Sequence, residues 1–366
     1  MTTKSRDVKV ALAHDSFLQW GGAERVMRDL CQAFPEAIIY TLIADKGVKK
    51  RFPVIRVVES WLKYVYWIFP KFTYWLPFLP FFVRTLHVEE CDVLVSSSSA
   101  LIKAIKKPAG SVHINYCHTP TRFIWSDVEY VDQEVPLGLR SIAKLFLSWM
   151  KKWDFDKAQE PDLLIANCEE VRRRIRRYYN RDSTVVYPGV DTEYWKQTIP
   201  KAGNYLIVAR LQAHKQVDLV IEAFNELGLE LRIVGTGRIE SSLRKIARSN
   251  IKFLGSVSDV ELRNEYSQAR AVLYPQYEDF GLVPLEAASC GTPTLAYAKG
   301  GALETIIPGV TGELFQEQTK SGLLHILKDF DPKKYRTEDL RSQALKFSKA
   351  NFIARIKEIV TQEAGR

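Results

Sequence analysis

A chain of 366 residues exceeds one ordinary hydrophobic core and predicts two domains. Its 46% hydrophobic and 26% charged residues exclude a disordered tail, and five cysteines (Cys31, Cys91, Cys117, Cys168, Cys290) without a C-x-x-C pair exclude a spelled-out zinc site. The formal charge of +9 favours an anionic partner but does not choose among nucleic acid, anionic lipid and a phosphorylated small molecule.

The N-terminus, MTTKSRDVKVALAHD, holds an apolar run of strand length and not the longer stretch of a signal peptide; with scattered, reduced thiols this predicts a cytoplasmic protein. Residues 8–14, VKVALAH, predict a strand. Gly21 and Gly22 predict a loop, and the spacing of Val26, Met27, Leu30 and Phe34 a helix. Strand-length runs recur at CDVLVSSSS, SVHINYCH and DLLIANC. After the turn at Tyr187 to Asp191 the alternation restarts with NYLIVARL, VDLVIEAFNELG, LELRIVGTG, SSLRKIARS and NIKFLG, and continues through AVLYPQ, PTLAYA and GELFQ. Alternating strands and helices predict an α/β protein with a doubly wound parallel sheet in each domain. The domains are placed at residues 1–195 and 196–345, with 346–366 as a C-terminal helix that packs across either one.

Residues 61–86, WLKYVYWIFPKFTYWLPFLPFFVRTL, break this alternation. Pro70, Pro77, Pro80 and the central Lys71 argue against a simple membrane span. Two readings stand: an interfacial segment whose rings and flanking cations meet a headgroup region, or a helical hairpin buried in the first domain. Farther on, Asp154 and Asp156 form a D-x-D pair that suggests a metal-dependent transferase. They lie in a helical pattern with Leu145, Trp149 and Trp153 spaced four apart, which predicts that the acids face water and sets the metal reading aside. The run EEVRRRIRRYYNR, Glu169 to Arg181, reads as a solvated helix face, with membrane or lipid diphosphate contact as the alternative and no nucleic acid.

In a doubly wound sheet, ligands sit beyond the carboxyl ends of the strands, where loops and helix N-termini offer N–H groups to anions. Gly21 and Gly22 occupy such a loop without forming G-x-G-x-x-G. Arg210 and Lys215 bracket another and suit a doubly charged anion, the arginine as a bidentate clamp and the lysine as a mobile charge. Gly235 and Gly237 lie in the next such loop. The amides of Phe280, Gly281 and Leu282 make a plausible anion nest, and Glu278 and Glu286 beside them suit hydroxyl groups. Carboxylates and bare amides together predict a ligand with both hydroxyls and phosphates. His118 stands at a strand end; His14, His87, His113, His214 and His325 lack comparable context.

Arg210 and Lys215 in ARLQAHK, the E-x7-E pair in EDFGLVPLE, GGALE ending in Glu304, and GGAE in the first domain resemble the retaining glycosyltransferases of family four over about residues 8–320. NYCHTPTRFIW is similar to the segment of bacterial mannosyltransferases of O-antigen and exopolysaccharide assembly. The resemblance implies the GT-B fold, two Rossmann-like domains facing across a cleft. It implies that Arg210 and Lys215 bind the donor diphosphate and stabilise its departure, Glu278 holds the donor sugar and Glu286 the ribose. Gly22, beside Gly21, would approach the phosphates and His118 the sugar; Gly235, Gly237 and the stretch Phe253 to Val257 would line the nucleotide. No metal or cofactor is then required, because fixed cations stabilise the leaving charge. The implied activity moves a hexose, most readily mannose from GDP-mannose, onto a lipid-linked glycan at the inner face of the cell membrane. A UDP-sugar transferase, a GT-B-like sugar-nucleotide epimerase and a non-catalytic basic scaffold are the alternatives.

Overall fold

The computed structural model describes residues 8–52, 56–69, 75–125 and 140–365. They form two compact units, one running to Tyr187 and regaining the chain from Phe352, the other Pro188–Asn351. The division falls before residue 195 because Val190 already donates to the Phe347 carbonyl at 2.8 Å and Asp191 pairs with Lys349, inside the second unit.

The first unit holds seven parallel strands: β1 (Val10–His14), β2 (Ile38–Thr41), β3 (Val57–Glu59), β4 (Val93–Ser98), β5 (Val112–Cys117), β6 (Leu163–Ala166) and β7 (Thr184–Val185), in the order β3-β2-β1-β4-β5-β6-β7. The second holds β8 (Tyr205–Val208), β9 (Leu231–Val234), β10 (Ile251–Gly255), β11 (Ala271–Tyr274), β12 (Thr294–Tyr297) and β13 (Gly312–Phe315), in the order β10-β9-β8-β11-β12-β13. In each sheet the winding reverses beside the first strand, between β1 and β4 and between β8 and β11. Such switch points open a crevice at the strand carboxyl ends. Strands β2, β3 and β7 carry no sequence expectation; β3 and β7, three and two residues long, are too short for a periodic signal.

Central strands are buried on both faces, β4 along its whole length, which is why they read as continuous apolar runs. The second core gathers Tyr205, Ile207, Val220, Phe224, Ile233 and Leu295. In the C-terminal helix Lys349–Ala364, Phe352, Ile356, Ile359 and Val360 recur at helical spacing and pack with Leu12, Val95 and Tyr116, so this helix completes a core of the first unit.

The aromatic segment is divided by face. Leu62, Tyr66, Leu79, Phe82, Val83 and Leu86 are buried, while Trp61, Tyr64, Trp67, Ile68, Phe69, Phe78 and Phe81 are each more than half exposed. Pro70 and Lys71 lie outside the described residues, as does the start of the N-terminal stretch. No helix among the described residues is long and apolar enough to cross a membrane.

The helix Arg140–Ala158 is rotated from its expected orientation. Leu145 is 75% and Trp149 50% exposed, whereas Met150, Asp154 and Ala158 are buried. Asp154 therefore does not face water; Asp156 does. The physical reason is a partner set far away in sequence. Asp154 takes Lys103 Nζ (2.6 Å), Thr121 Oγ1 (2.9 Å), Trp125 Nε1 (2.7 Å) and Tyr179 OH (2.9 Å), enough to hold a carboxylate in the core. In the helix Glu169–Tyr179 the arginines are laced to carboxylates: Arg172 to Glu169, Arg173 and Arg174 to Glu170, and Arg176 to Asp182.

Candidate active site

In the second unit the predicted residues gather at its switch point. After β8, Arg210 is exposed, a short 3-10 turn spans Ala213–Lys215, and Gln216 adopts φ 53° before the helix Val217–Leu227. That left-handed residue turns the chain so that the Lys215 side chain points inward, where it is 9% exposed and ion-paired with Glu278 from the loop after β11. Two residues 63 apart in sequence thus share one place. A buried ammonium is tolerable only with such a partner, and the pair fixes both groups.

The loop carrying Glu278 is held by glycines. Gly281 (φ 82°) lies against the Tyr274 hydroxyl, 2.0 Å from where a Cβ would stand. Gly301 donates to the Glu278 carbonyl (3.1 Å), and a Cβ there would come within 2.0 Å of the Phe280 carbonyl oxygen. The two glycine-rich turns around this loop therefore serve close packing, Gly281 against the Tyr274 side chain and Gly301 against backbone. Phe280 is buried against Phe347, and Phe280, Gly281 and Leu282 lead into the helix Val283–Ser289. Glu286, 3% exposed in that helix, accepts from the Tyr266 hydroxyl at 2.9 Å, which orients it.

Gly235 and Gly237 have the same packing role. A Cβ on either would stand 1.9 Å from the Ala209 oxygen or 2.2 Å from the Leu211 oxygen, so the loop after β9 lies directly on the loop after β8. Phe253 is half-buried beneath the Arg244 guanidinium, 4.5 Å from the ring centroid, and Val257 is half-buried beyond the end of β10.

In the first unit, Gly21 caps the helix Gly22–Ala33 and donates its N–H to Glu24 Oε2 at 2.8 Å. Glu24 Oε1 lies 3.8 Å from His14 Nε2, at the end of β1. His14 Nδ1 reaches Ser97, and Ser97 Oγ reaches His118 Nε2 at 2.8 Å. Burial, with a smaller electrostatic contribution from the neighbouring His14, pushes His118 down to about 3, so its ring is neutral. Sequence reading sets His14 aside, quotes Glu24 only within GGAE and does not single out Ser97, because their link joins a helix to three strands.

Two family models tile the chain: Glycosyltransferase Family 4 over residues 20–194 and Glycosyl transferases group 1 over residues 191–343. The chain belongs to glycosyltransferase family 4. This glycosyltransferase is 32% identical over 181 residues to the D-inositol 3-phosphate glycosyltransferase of Mycolicibacterium paratuberculosis, an alignment covering 42% of this chain and 41% of the relative. The chain thus spans about two fifths of that curated relative's length. Among solved structures it resembles Anabaena Alr3699/HepE in complex with UDP-glucose (TM-score 0.72, 18% identity, 97% of this chain and 100% of the other). It also resembles sucrose-phosphate synthase from Thermosynechococcus elongatus (TM-score 0.69, 18% identity, 96% and 98%). Its fold is GT-B.

Proposed function

We propose that this glycosyltransferase moves a hexose, with retention, from a nucleoside diphosphate sugar onto a lipid-linked glycan in cell-surface polysaccharide synthesis. The observation that carries the donor half is the Lys215–Glu278 pair at the switch point of the second sheet, with Arg210 in the segment between β8 and Lys215. Lys215 and Arg210 supply positive charge to the diphosphate as the glycosyl bond breaks. Glu278, held by Lys215 and by the packed glycines, accepts from sugar hydroxyls; Glu286, oriented by Tyr266, accepts from the ribose. His118, in the first unit, is the residue that the family resemblance assigns to the sugar. With cations on the leaving group, the reaction requires no metal. The departing diphosphate takes the acceptor proton on the face it leaves.

GDP-mannose is the donor supported by the likeness of NYCHTPTRFIW to mannosyltransferases. A UDP-hexose is the second reading, supported by the UDP-glucose held in the Anabaena structure. Release of nucleoside diphosphate from a panel of GDP- and UDP-sugars, with and without chelator, tests both. Turnover of one donor, lost in Lys215→Ala and Glu278→Ala, supports the assignment and names the base; turnover that requires added manganese overturns the metal-free chemistry. Interconversion of donor sugars without acceptor marks an epimerase.

The membrane reading is supported by the exposed Trp61, Tyr64, Trp67, Phe69, Phe78 and Phe81, together with Leu145 and Trp149, and by Lys63, Lys144, Lys151 and Lys152, which are near them in sequence. Rings flanked by cations suit the anionic inner face of a cell membrane. Flotation with anionic liposomes, weakened by Trp67→Ser and Trp149→Ser, is the expected result. Binding unchanged by both substitutions removes the proposal.

A further inference from the structure

Two buried histidines share one serine at the switch point of the first sheet. The register pairs Ser97 of β4 with His14 of β1 and Tyr116 of β5. His118 is two residues past Tyr116, so Ser97, His14 and His118 share one face. Ser97 is fully buried. His14 Nδ1 lies 3.1 Å from the Ser97 carbonyl oxygen and 3.2 Å from Ser97 Oγ, and Ser97 Oγ lies 2.8 Å from His118 Nε2.

These distances order the protons. A carbonyl oxygen only accepts, so His14 Nδ1 carries hydrogen and shares it between the two Ser97 oxygens. The Ser97 hydroxyl then accepts from His14, and its own hydrogen goes to His118 Nε2. A neutral imidazole that accepts at Nε2 carries its hydrogen on Nδ1.

We propose that Ser97, seated by His14, is a positioning residue that locks His118 in the Nδ1–H tautomer and makes it a fixed hydrogen-bond donor to a hydroxyl of the donor sugar. This rests on the reading that His118 serves that sugar. It assigns His118 to binding the sugar and excludes it as the base that takes the acceptor proton. Glu24 accepts from the Gly21 amide through Oε2 and stands with Oε1 3.8 Å from His14 Nε2, so the Gly21 loop lies beside this network without a hydrogen bond to it.

The test uses the full-length protein with 15N-labelled histidine, as wild type, Ser97→Ala, Ser97→Cys and His118→Gln, the last to assign the His118 signals. Two-bond proton–nitrogen correlation spectra distinguish a bare ring nitrogen from a protonated one. The expected wild-type result is a bare Nε2 and a protonated Nδ1 on His118, with mixed tautomers in Ser97→Ala. In the donor-turnover assay Ser97→Ala lowers kcat/KM about tenfold, the loss of one hydrogen bond. Ser97→Cys, close in volume and a weak donor, falls between. A protonated Nε2 in the wild type overturns the tautomer. A tautomer that shifts in Ser97→Ala while kcat/KM stays unchanged overturns the positioning role, and lost turnover with an unshifted tautomer reduces Ser97 to a packing residue. Absence of turnover in the wild type with every sugar nucleotide would strike the proposed function and with it the role given to His118, while the spectra would still decide the tautomer.

Discussion

Replacing Lys103 with Met tests how the segment bearing His118 is held. Lys103 is 1% and Asp154 0% exposed. Lys103 Nζ donates to Asp154 Oδ1 (2.6 Å), the Ala100 carbonyl (2.6 Å) and Thr121 Oγ1 (3.1 Å). Met fills similar volume but leaves the Asp154 carboxylate buried with only neutral donors, and breaking a buried pair this way costs about 3–5 kcal/mol. Ordinarily the double apolar replacement would recover most of that loss. Here Asp154 also receives Thr121, Trp125 and Tyr179; in Lys103→Met with Asp154→Leu the Thr121 hydroxyl keeps the Ala100 carbonyl at 3.2 Å, but Trp125 Nε1 and Tyr179 OH are orphaned, each costing about 1 kcal/mol or more. The double variant should therefore remain about 2 kcal/mol below wild type. Urea denaturation followed by tryptophan fluorescence gives both values, and hydrogen exchange over residues 118–125 shows whether that segment opens first. A loss below about 1 kcal/mol in Lys103→Met would refute the reasoning, because a buried, desolvated pair cannot be broken so cheaply.

Gly301→Ala should lower donor turnover about a hundredfold or more, since its Cβ would stand 2.0 Å from the Phe280 oxygen and push away the loop that carries Glu278. Gly110→Ala, at φ 77° but with open space around it, should leave turnover within about twofold of wild type and lower the urea midpoint slightly. Acid should destabilise the first unit through His113 and His118, each pushed down to about 3 by burial. Between about pH 6.5 and 3 the unfolded chain binds protons that the folded one refuses, so stability is full above the window and falls as pH drops through it. Each histidine contributes up to about 1.4 kcal/mol per pH unit. Urea titrations at pH 7.0, 5.5 and 4.5 should show a slope that decreases in His113→Asn; an identical slope in that variant would contradict the assignment.

The sequence disclosed the two parallel sheets because their central strands are buried on both faces and read as apolar runs between helical periods. Edge strands such as β3, with its terminal Glu59 and only half-buried residues, lack that contrast. The candidate residues of the second unit stand out for a related reason. Arg210, Lys215 and Glu278 lie in the segments after β8 and β11, Glu286 in the helix that follows, and the E-x7-E spacing is local. The first-unit network does not: His14, Ser97 and His118 stand 83 and 21 residues apart and meet only through register. The helix Arg140–Ala158 went wrong for a comparable reason. Periodicity locates an apolar stripe but does not reveal that Lys103 will draw Asp154 inward and leave Trp149 outside.

The glycines of the second unit show how a polar site is built without a polar motif. Gly235 and Gly237 let one loop lie on the Ala209 and Leu211 carbonyls, and Gly281 and Gly301 fit the Glu278 loop between Tyr274 and its own glycine-rich neighbour. Each contact removes freedom from backbone that would otherwise move with the ligand. Lys215 can then be buried against Glu278, because neither loop can retreat to let water reach it. In the proposed reaction a cation held this way would already be oriented when the diphosphate charge develops, so less reorganisation would be needed at the moment of bond breaking. On that proposal the ion pair is the weak point of the site: a substitution that loosens either loop, even one far from Lys215 and Glu278, should lower donor turnover by letting the two separate.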